Sequence, residues 1–427
     1  MERRSFRVFG LSAGLVILLA CYFWGHSSLV YGQTSAKPGE SPVRWGVPWP
    51  EQGKAVSGYP ILPGVQSFEI YHATRLTGGY SHHPQIDHFK RRFFASWSNQ
   101  QWDEDAPGQR VLCSISQDGR TWRPPFVCFP SLGGMRRRGR SGRVLTAEAW
   151  VVVGGTLYAV AGVNDKPGPD RKMAEGYETT VSGQKRMLVG GRVGWGRIAR
   201  SVSTNGDLGP IFWLVDDPPP PLEDYPQFPD ERDPQFKETA QAINRILANP
   251  LHMPAWDFLN HTTRVQAVDG HEMCEPSVYQ RPDGALVKLS RDCGRPKSFR
   301  LYASVSKNGG KTWSTSVRTN IPDSPSKAVS GSLPDGKNYL IGNQVLQRVR
   351  DPLVIGLSPD GKVFNWAAAI RHGHTPVRLP GHAKDMGFQY PSAIVVGKAL
   401  WVIYSIDKED VEVSRIPLKE LGSPKIR

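Results

Sequence analysis

Cysteine is scarce in this chain, five among 427 residues, and none stands in a Cys-x-x-Cys pair or a Cys/His cluster. That argues against a metal centre of the zinc-ribbon or finger kind, and no motif calls for a cofactor. A spanning segment is also wanting: the apolar run from Phe9 to about Trp24 is shorter than the ~20 residues a membrane helix needs. Acidic residues are the minority, 39 against 53 Lys and Arg, for a formal charge of +14. Helical spacing is read only in PQFKETAQAINRILANP, residues 234–250, within a break in the pattern at 216–260 that opens on Pro218 to Pro221.

What the chain does have is turns and aromatics, with 44 Gly, 36 Pro and 13 Trp, the composition of one large all-β repeat domain. The stretch from Cys274 to Trp313 shows the unit: β-formers alternate about the turn at Pro282 to Gly284, return through Phe299 to Ser306, and close on SKNGGKTW. Near-copies of that closing turn stand at Ser116 to Trp122 (SQDGRTW) and Ser358 to Phe364 (SPDGKVF), with a weaker echo, STNG, at Ser203 to Gly206. Ser and Asp or Asn bond the backbone of their own turn, and glycine accepts a positive φ there. A turn that recurs after four-stranded units predicts a β-propeller.

These turns resemble the Asp-boxes of the sialidase (neuraminidase) superfamily, over roughly Tyr80 to Pro417. Glu275 followed by Arg291 is similar to that family's pairing of catalytic Glu with substrate-binding Arg. Arg350-Asp351-Pro352-Leu353 runs into SPDG as the family's third active-site Arg runs into its own Asp-box, with Arg348 as competitor. Tyr390-Pro391-Ser392 is similar to the strand that carries the catalytic Tyr. The resemblance implies six blades, with strands expected near Arg92 to Ser98, Thr146 to Val163, Arg192 to Trp213, Glu275 to Trp313, Val329 to Phe364 and Tyr390 to Arg415. Ser67 to Tyr71 would complete the last blade.

The same resemblance implies an exo-acting glycoside hydrolase. An anomeric carbon that bears a carboxylate repels an anionic nucleophile, so a neutral Tyr390 deprotonated by Glu275 fits the task. Asp105, in the loop after the second strand, would be the acid/base, with Asp103 and Glu104 as competitors. Arg291 and Arg350 would bind the carboxylate. Where the family opens its first blade on a third Arg, this chain has His82, with His83 and Pro84 after it. A protonated His82 would replace part of that charge at acid pH. Two other readings stand beside this one. His82 or His83 could serve proton transfer in a lyase or hydrolase of uronate polysaccharides, or the propeller could bind glycans without chemistry.

The basic opening (Arg3, Arg4, Arg7) and the apolar run make residues 1–32 a secretory signal, with a lipoprotein site at Cys21 or an uncleaved anchor as alternatives. Residues 33–65 read as an extended lead-in and 66–427 as the propeller, with the 216–260 insertion on one face. In an exported protein the basic balance points to an acidic glycan partner rather than nucleic acid, with no membrane contact beyond an N-terminal anchor. Export favours pairing of thiols. Cys113 with Cys128 and Cys274 with Cys293 each bracket a hairpin, and each link would contribute about 3 kcal/mol. A regular hairpin joining 274 to 293, however, puts Glu275 and Arg291 on opposite faces, so either a bulge intervenes or that link does not form.

Overall fold

The computed structural model describes residues 41–106, 108–132, 143–165, 177–179, 185–187, 193–215, 227–255, 265–381 and 383–422. Residues 1–32, expected to be a secretory signal, and the proline run Pro218 to Pro221 lie outside the described residues.

The fold is an all-β propeller of five blades among the described residues. Blade I runs Tyr80–Phe89, Arg92–Gln100, Arg110–Ser116, Phe126–Phe129; blade II runs Arg143–Val153, Thr156–Asp165, Val193–Ser201, Phe212–Trp213. Blade III runs Glu272–Gln280, Leu286–Asp292, Arg300–Ser306, Val317–Pro322, with the short Val265–Gln266 on the inner side of the first strand. Blade IV runs Val329–Ser332, Asn338–Gly342, Leu353–Ser358, Trp366–Arg371. Blade V runs Phe388–Val396, Ala399–Ile406, Asp410–Pro417, and its outer strand is Gln66–Tyr71, paired antiparallel with Asp410–Pro417. The ring is therefore closed inside one blade by both chain ends, as the sequence predicts.

Five blades replace the six expected because residues 143–165 and 193–213 are one sheet, not two. Val193–Ser201 pairs directly with Thr156–Asp165, so each of the two segments supplies only half a blade. Buried apolar side chains fill the wedge between neighbours. Leu145, Trp195 and Trp213 of blade II pack with Phe94 and Val111 of blade I. Phe93 lies 4.6 Å from the Trp401 ring of blade V, Leu353 and Ile355 share a buried cluster with Leu400 and Val402, and Tyr279 and Val287 share one with Leu340 and Val354. Residues 41–65 strap blade IV: Arg44–Trp45 pair in parallel with Val363–Phe364, and Trp45 is buried.

The repeated turns share one wiring. Asp118 Oδ1 accepts the amides of Arg120 and Thr121 at 2.8 and 2.9 Å while Ser116 Oγ accepts that of Gly119 at 2.9 Å. Asp360 takes the amides of Lys362 and Val363 at 2.8 and 3.0 Å, and Asn308 takes that of Thr312 at 2.9 Å. These turns join the third and fourth strands, so they mark the end of the propeller opposite the first-strand starts.

The insertion contains the expected helix, α1, Lys237–Leu247, whose Ala240, Ile243 and Leu247 pack on Val151, Val160, Phe212 and Leu214 of blade II. Pro250 lies against Gly310 of the blade III turn. The described part of the insertion thus packs on blade II and reaches the blade III turn.

Cys274 and Cys293 are joined. The other expected pair, Cys113 and Cys128, stands as two buried thiols whose side chains contact each other. Cys113 stands opposite Phe126, and the irregularity between Val111 and Leu112 takes Cys128 out of facing register.

Candidate active site

At the end of the ring where the inner strands begin, three of them are interrupted in the same way. The ladder shifts between His82 and Gln85, between Cys274 and Ser277, and between Gln389 and Ser392. In each gap one residue adopts a left-handed backbone: His83 at φ 56°, Glu275 at 51° and Tyr390 at 53°. Each is followed by proline (Pro84, Pro276, Pro391), which has no amide to give the ladder, so the strand must bulge there. Side chains in such conformations cost of order 1–3 kcal/mol each and gather at functional sites. The bulge also removes the conflict between the disulfide and the Glu–Arg pair: Cys274 is opposite Arg291, and the extra residue brings Glu275 to the same side.

The bulged residues meet. The Tyr390 hydroxyl donates to Glu275 Oε1 at 2.6 Å, and Arg291 Nη1 donates to Glu275 Oε2 at 2.8 Å and to the Tyr390 oxygen at 2.7 Å. Burial alone would raise the Glu275 pKa, but the Arg291 charge and the hydrogen bonds from Arg291 and Tyr390 outweigh it and hold the carboxyl below its usual range. Burial, reinforced by Glu275 against the pull of Arg291, pushes the Tyr390 phenol well above 10. The result is a neutral phenol with a carboxylate placed to take its proton and a guanidinium placed to stabilise the phenolate, the arrangement of an activated nucleophile.

Arg350 is buried, pairs with Asp385 at 2.8 Å, donates to Gln389 Oε1, and places its Cζ 5.3 Å from the Tyr390 ring centre. Its competitor Arg348 has an 80% exposed side chain and meets Asp385 only at 3.4 Å, at the rim. The His82 ring lies 4.0 Å from that of Tyr390 and its Nδ1 is 2.7 Å from Ser405 Oγ. His83 Nδ1 is 3.1 Å from Ser98 Oγ. Burial first, then the neighbouring His83, Lys408, Arg350 and Lys327, hold His82 far below its ordinary pKa, and burial lowers His83 to about 4. Both rings are neutral at physiological pH. Burial therefore works against the protonated His82 that would replace an arginine at acid pH.

Of the three loop carboxylates, Asp103 Oδ1 accepts the amides of Glu104 and Ala383 at 2.9 and 2.8 Å and ties the loop down. Glu104 Oε1 faces His83 Nε2 at 3.7 Å and Glu104 Oε2 takes Lys408 at 2.6 Å. Asp105 is buried, at φ 52°, and its charge acts on His83 together with Glu104 and Glu275. Tyr390, Glu275, Arg291, Arg350, His82 and His83 thus form one cluster, with Glu104 and Asp105 beside it, while Cys113 and Cys128 belong to a sheet interior.

Sequence reasoning missed Asp385, Lys408, Asp323 and Lys327. Burial raises Asp323 to about 7 against the pull of Arg291, and lowers Lys327 to about 8 although Glu275 opposes this. Lys327 Nζ donates to the Pro391 carbonyl at 2.8 Å and so holds the Tyr390 bulge. All four lie on loops whose sequence carries no signal of burial. The bulges did carry one: His-Pro, Glu-Pro and Tyr-Pro recur at the starts of inner strands.

Residues 248–402 match the model of the BNR repeat-like domain, and residues 60–264 match a model described as an N-terminal beta propeller. No curated protein matches. A solved structure described as a sialidase superposes with TM-score 0.69 at 22% identity, over 88% of this chain and 35% of its own, so this chain spans about a third of that protein's length. The intramolecular trans-sialidase from Ruminococcus gnavus aligns at 12% identity over 84% of this chain and 99% of its own, with TM-score 0.48. A Trypanosoma rangeli sialidase mutant displaying trans-sialidase activity aligns at 12% over 85% and 60%, with TM-score 0.47.

The chain is an all-β, sialidase-type propeller with BNR repeats. The likeness read from its turns and its Glu, Arg and Tyr spacing is a likeness of fold.

Proposed function

We propose that the protein is an exported glycoside hydrolase of the sialidase type that removes a terminal sugar bearing a carboxylate on its anomeric carbon. The observation that carries this reading is the Glu275–Tyr390–Arg291 triangle, with contacts of 2.6 to 2.8 Å. Glu275 takes the phenolic proton as Tyr390 Oη attacks the anomeric carbon, and Asp105 protonates the departing oxygen. Asp105 then takes a proton from water as that water attacks the same carbon, and Glu275 returns its proton to the departing tyrosine oxygen, with net retention. Arg291 and Arg350 bind the carboxylate. A cluster that needs four residues from blades III, IV and V to converge is more than a glycan-binding scaffold requires. Export is supported by the basic and apolar opening of residues 1–32.

The test is release of free sialic acid from mixed sialyl-glycans between acid and neutral pH, by the parent beside Tyr390→Phe and Asp105→Asn. Release that both substitutions abolish supports the mechanism. A folded parent that releases none rejects this substrate. One observation favours a second reading: His82 and His83 are both held neutral against Tyr390, the state a proton-abstracting base needs. In that case uronate polysaccharides give unsaturated products, and His82→Ala removes them.

A further inference from the structure

The two-residue turn between the second and third strands of blade V is charged where such a turn usually carries Asn-Gly. Asp407 and Lys408 occupy it in left-handed backbone, at φ 54° and 57°, and the Glu409 amide donates across it to the Ile406 carbonyl at 2.8 Å. Asp407, Lys408 and Glu409 are all buried. The turn is held from blade I, where the Ser81 amide donates to the Lys408 carbonyl at 2.8 Å, and from the loop before blade V, where the Gly387 amide donates to Asp407 Oδ1 at 2.6 Å. This strained backbone, fixed from two sides, aims the Lys408 side chain at the candidate site.

Lys408 Nζ makes two contacts there. It donates to Glu104 Oε2 at 2.6 Å and lies 3.7 Å from Asp385 Oδ2, the oxygen that also takes Arg350 Nη2 at 2.8 Å. Arg350, Asp385, Lys408 and Glu104 thus form a line of alternating charge, in which shelter from water strengthens each attraction. Glu104 Oε1 accepts from the Tyr80 hydroxyl of blade I at 3.3 Å and faces His83 Nε2 at 3.7 Å, so both of its oxygens are engaged.

Glu104 immediately precedes Asp105. The Asp105 amide donates to Gln109 Oε1 at 2.8 Å, and Gln109 Nε2 donates to the Leu145 carbonyl of blade II at 2.6 Å. The residue proposed as the acid is therefore tethered to blade II on one side and, through Glu104, to blade V on the other.

We infer that Lys408 is a positioning residue that fixes the acid loop, residues 101–109, relative to Arg350, so that the group protonating the departing oxygen and the group binding the carboxylate keep one spacing. Lys408 touches no reacting atom in this role. The clamp stands on its contacts alone; its effect on catalysis rests on the proposed hydrolysis.

Two readouts on the full chain test it. Hydrogen exchange followed by mass spectrometry should show peptides from 101–109 exchanging about tenfold faster or more in Lys408→Met than in the parent, with Lys408→Arg restoring the slow rate. Hydrolysis should separate by leaving group. In Lys408→Met, kcat/KM falls about a hundredfold on sialyl-lactose, whose sugar must be protonated as it leaves, and far less on a 4-nitrophenyl sialoside, whose phenolate leaves unaided. Unchanged exchange in 101–109 overturns the clamp, and equal losses on both glycosides overturn the positioning role. If Lys408→Met fails to fold, Glu104→Gln breaks the same pair from the loop's side and is judged by the same readouts. A parent that hydrolyses neither glycoside rejects the proposed reaction and leaves the exchange rates to decide the clamp.

Discussion

Three residues in left-handed backbone, His83, Glu275 and Tyr390, each followed by proline, build the candidate site. Glu275 and Tyr390 come together across blades III and V only because both inner strands bulge at that point. Glu275→Gln keeps the shape and removes the base, so kcat should fall by about 10²–10⁴-fold with KM little changed, as steady-state kinetics on the cleaved glycan would read. Asp323 allows a pH test. Its folded pKa of about 7 lies above its ordinary 3.8, so the folded state holds this proton the more tightly. Its contribution is complete below pH 4 and is lost as pH rises through 7. The difference in denaturation midpoint between the parent and Asp323→Asn should therefore move in favour of the variant from pH 4 to 8; a flat difference would contradict it. Lys327, at about 8, titrates above most of this window. Glu275, Arg291, Arg350 and Tyr390 were legible in the sequence because their order and spacing resemble the sialidase motifs. Glu104 and Lys408 were not, because burial of a loop charge depends on what another blade places over it.

At the scale of elements, the repeated Ser-x-Asp-x-Gly turn was fully legible, since its bonds are local and its residues are chosen for them. Asp118 is bonded to two amides and to Ser116 Oγ at 3.1 Å. Asp118→Ala should lower stability by about 1 kcal/mol in chemical denaturation and leave the catalytic rate unchanged, because the turn lies at the far end of the ring. The helix was legible from Ala240, Ile243 and Leu247 on one face. Which blades it meets was not, because that follows from Val151 and Pro250 meeting partners distant in sequence. The bond between Cys274 and Cys293 needed a bulge that only the proline at 276 announces.

The propeller, among the described residues, is a ring closed by one strand from the N-terminal side. Gln66–Tyr71 completes blade V, with Ile70 and Tyr71 buried among Trp97, Val411 and Val413. A chain beginning at Thr74 exposes that edge and should lose its cooperative thermal transition in circular dichroism, whereas one beginning at Ser41 should keep it. The blade count was the least legible feature, because a two-strand segment such as 143–165 looks like a blade until its partner at 193–201 is known. The central claim is that Tyr390 is the nucleophile of this site. The most direct measurement is peptide mapping by mass spectrometry after incubation with a 3-fluoro-sialosyl fluoride, which slows release of a covalent sugar. An adduct on Tyr390 that is absent in Glu275→Gln is the predicted result; turnover of the probe with no adduct on Tyr390, or with the sugar on another residue, would contradict it.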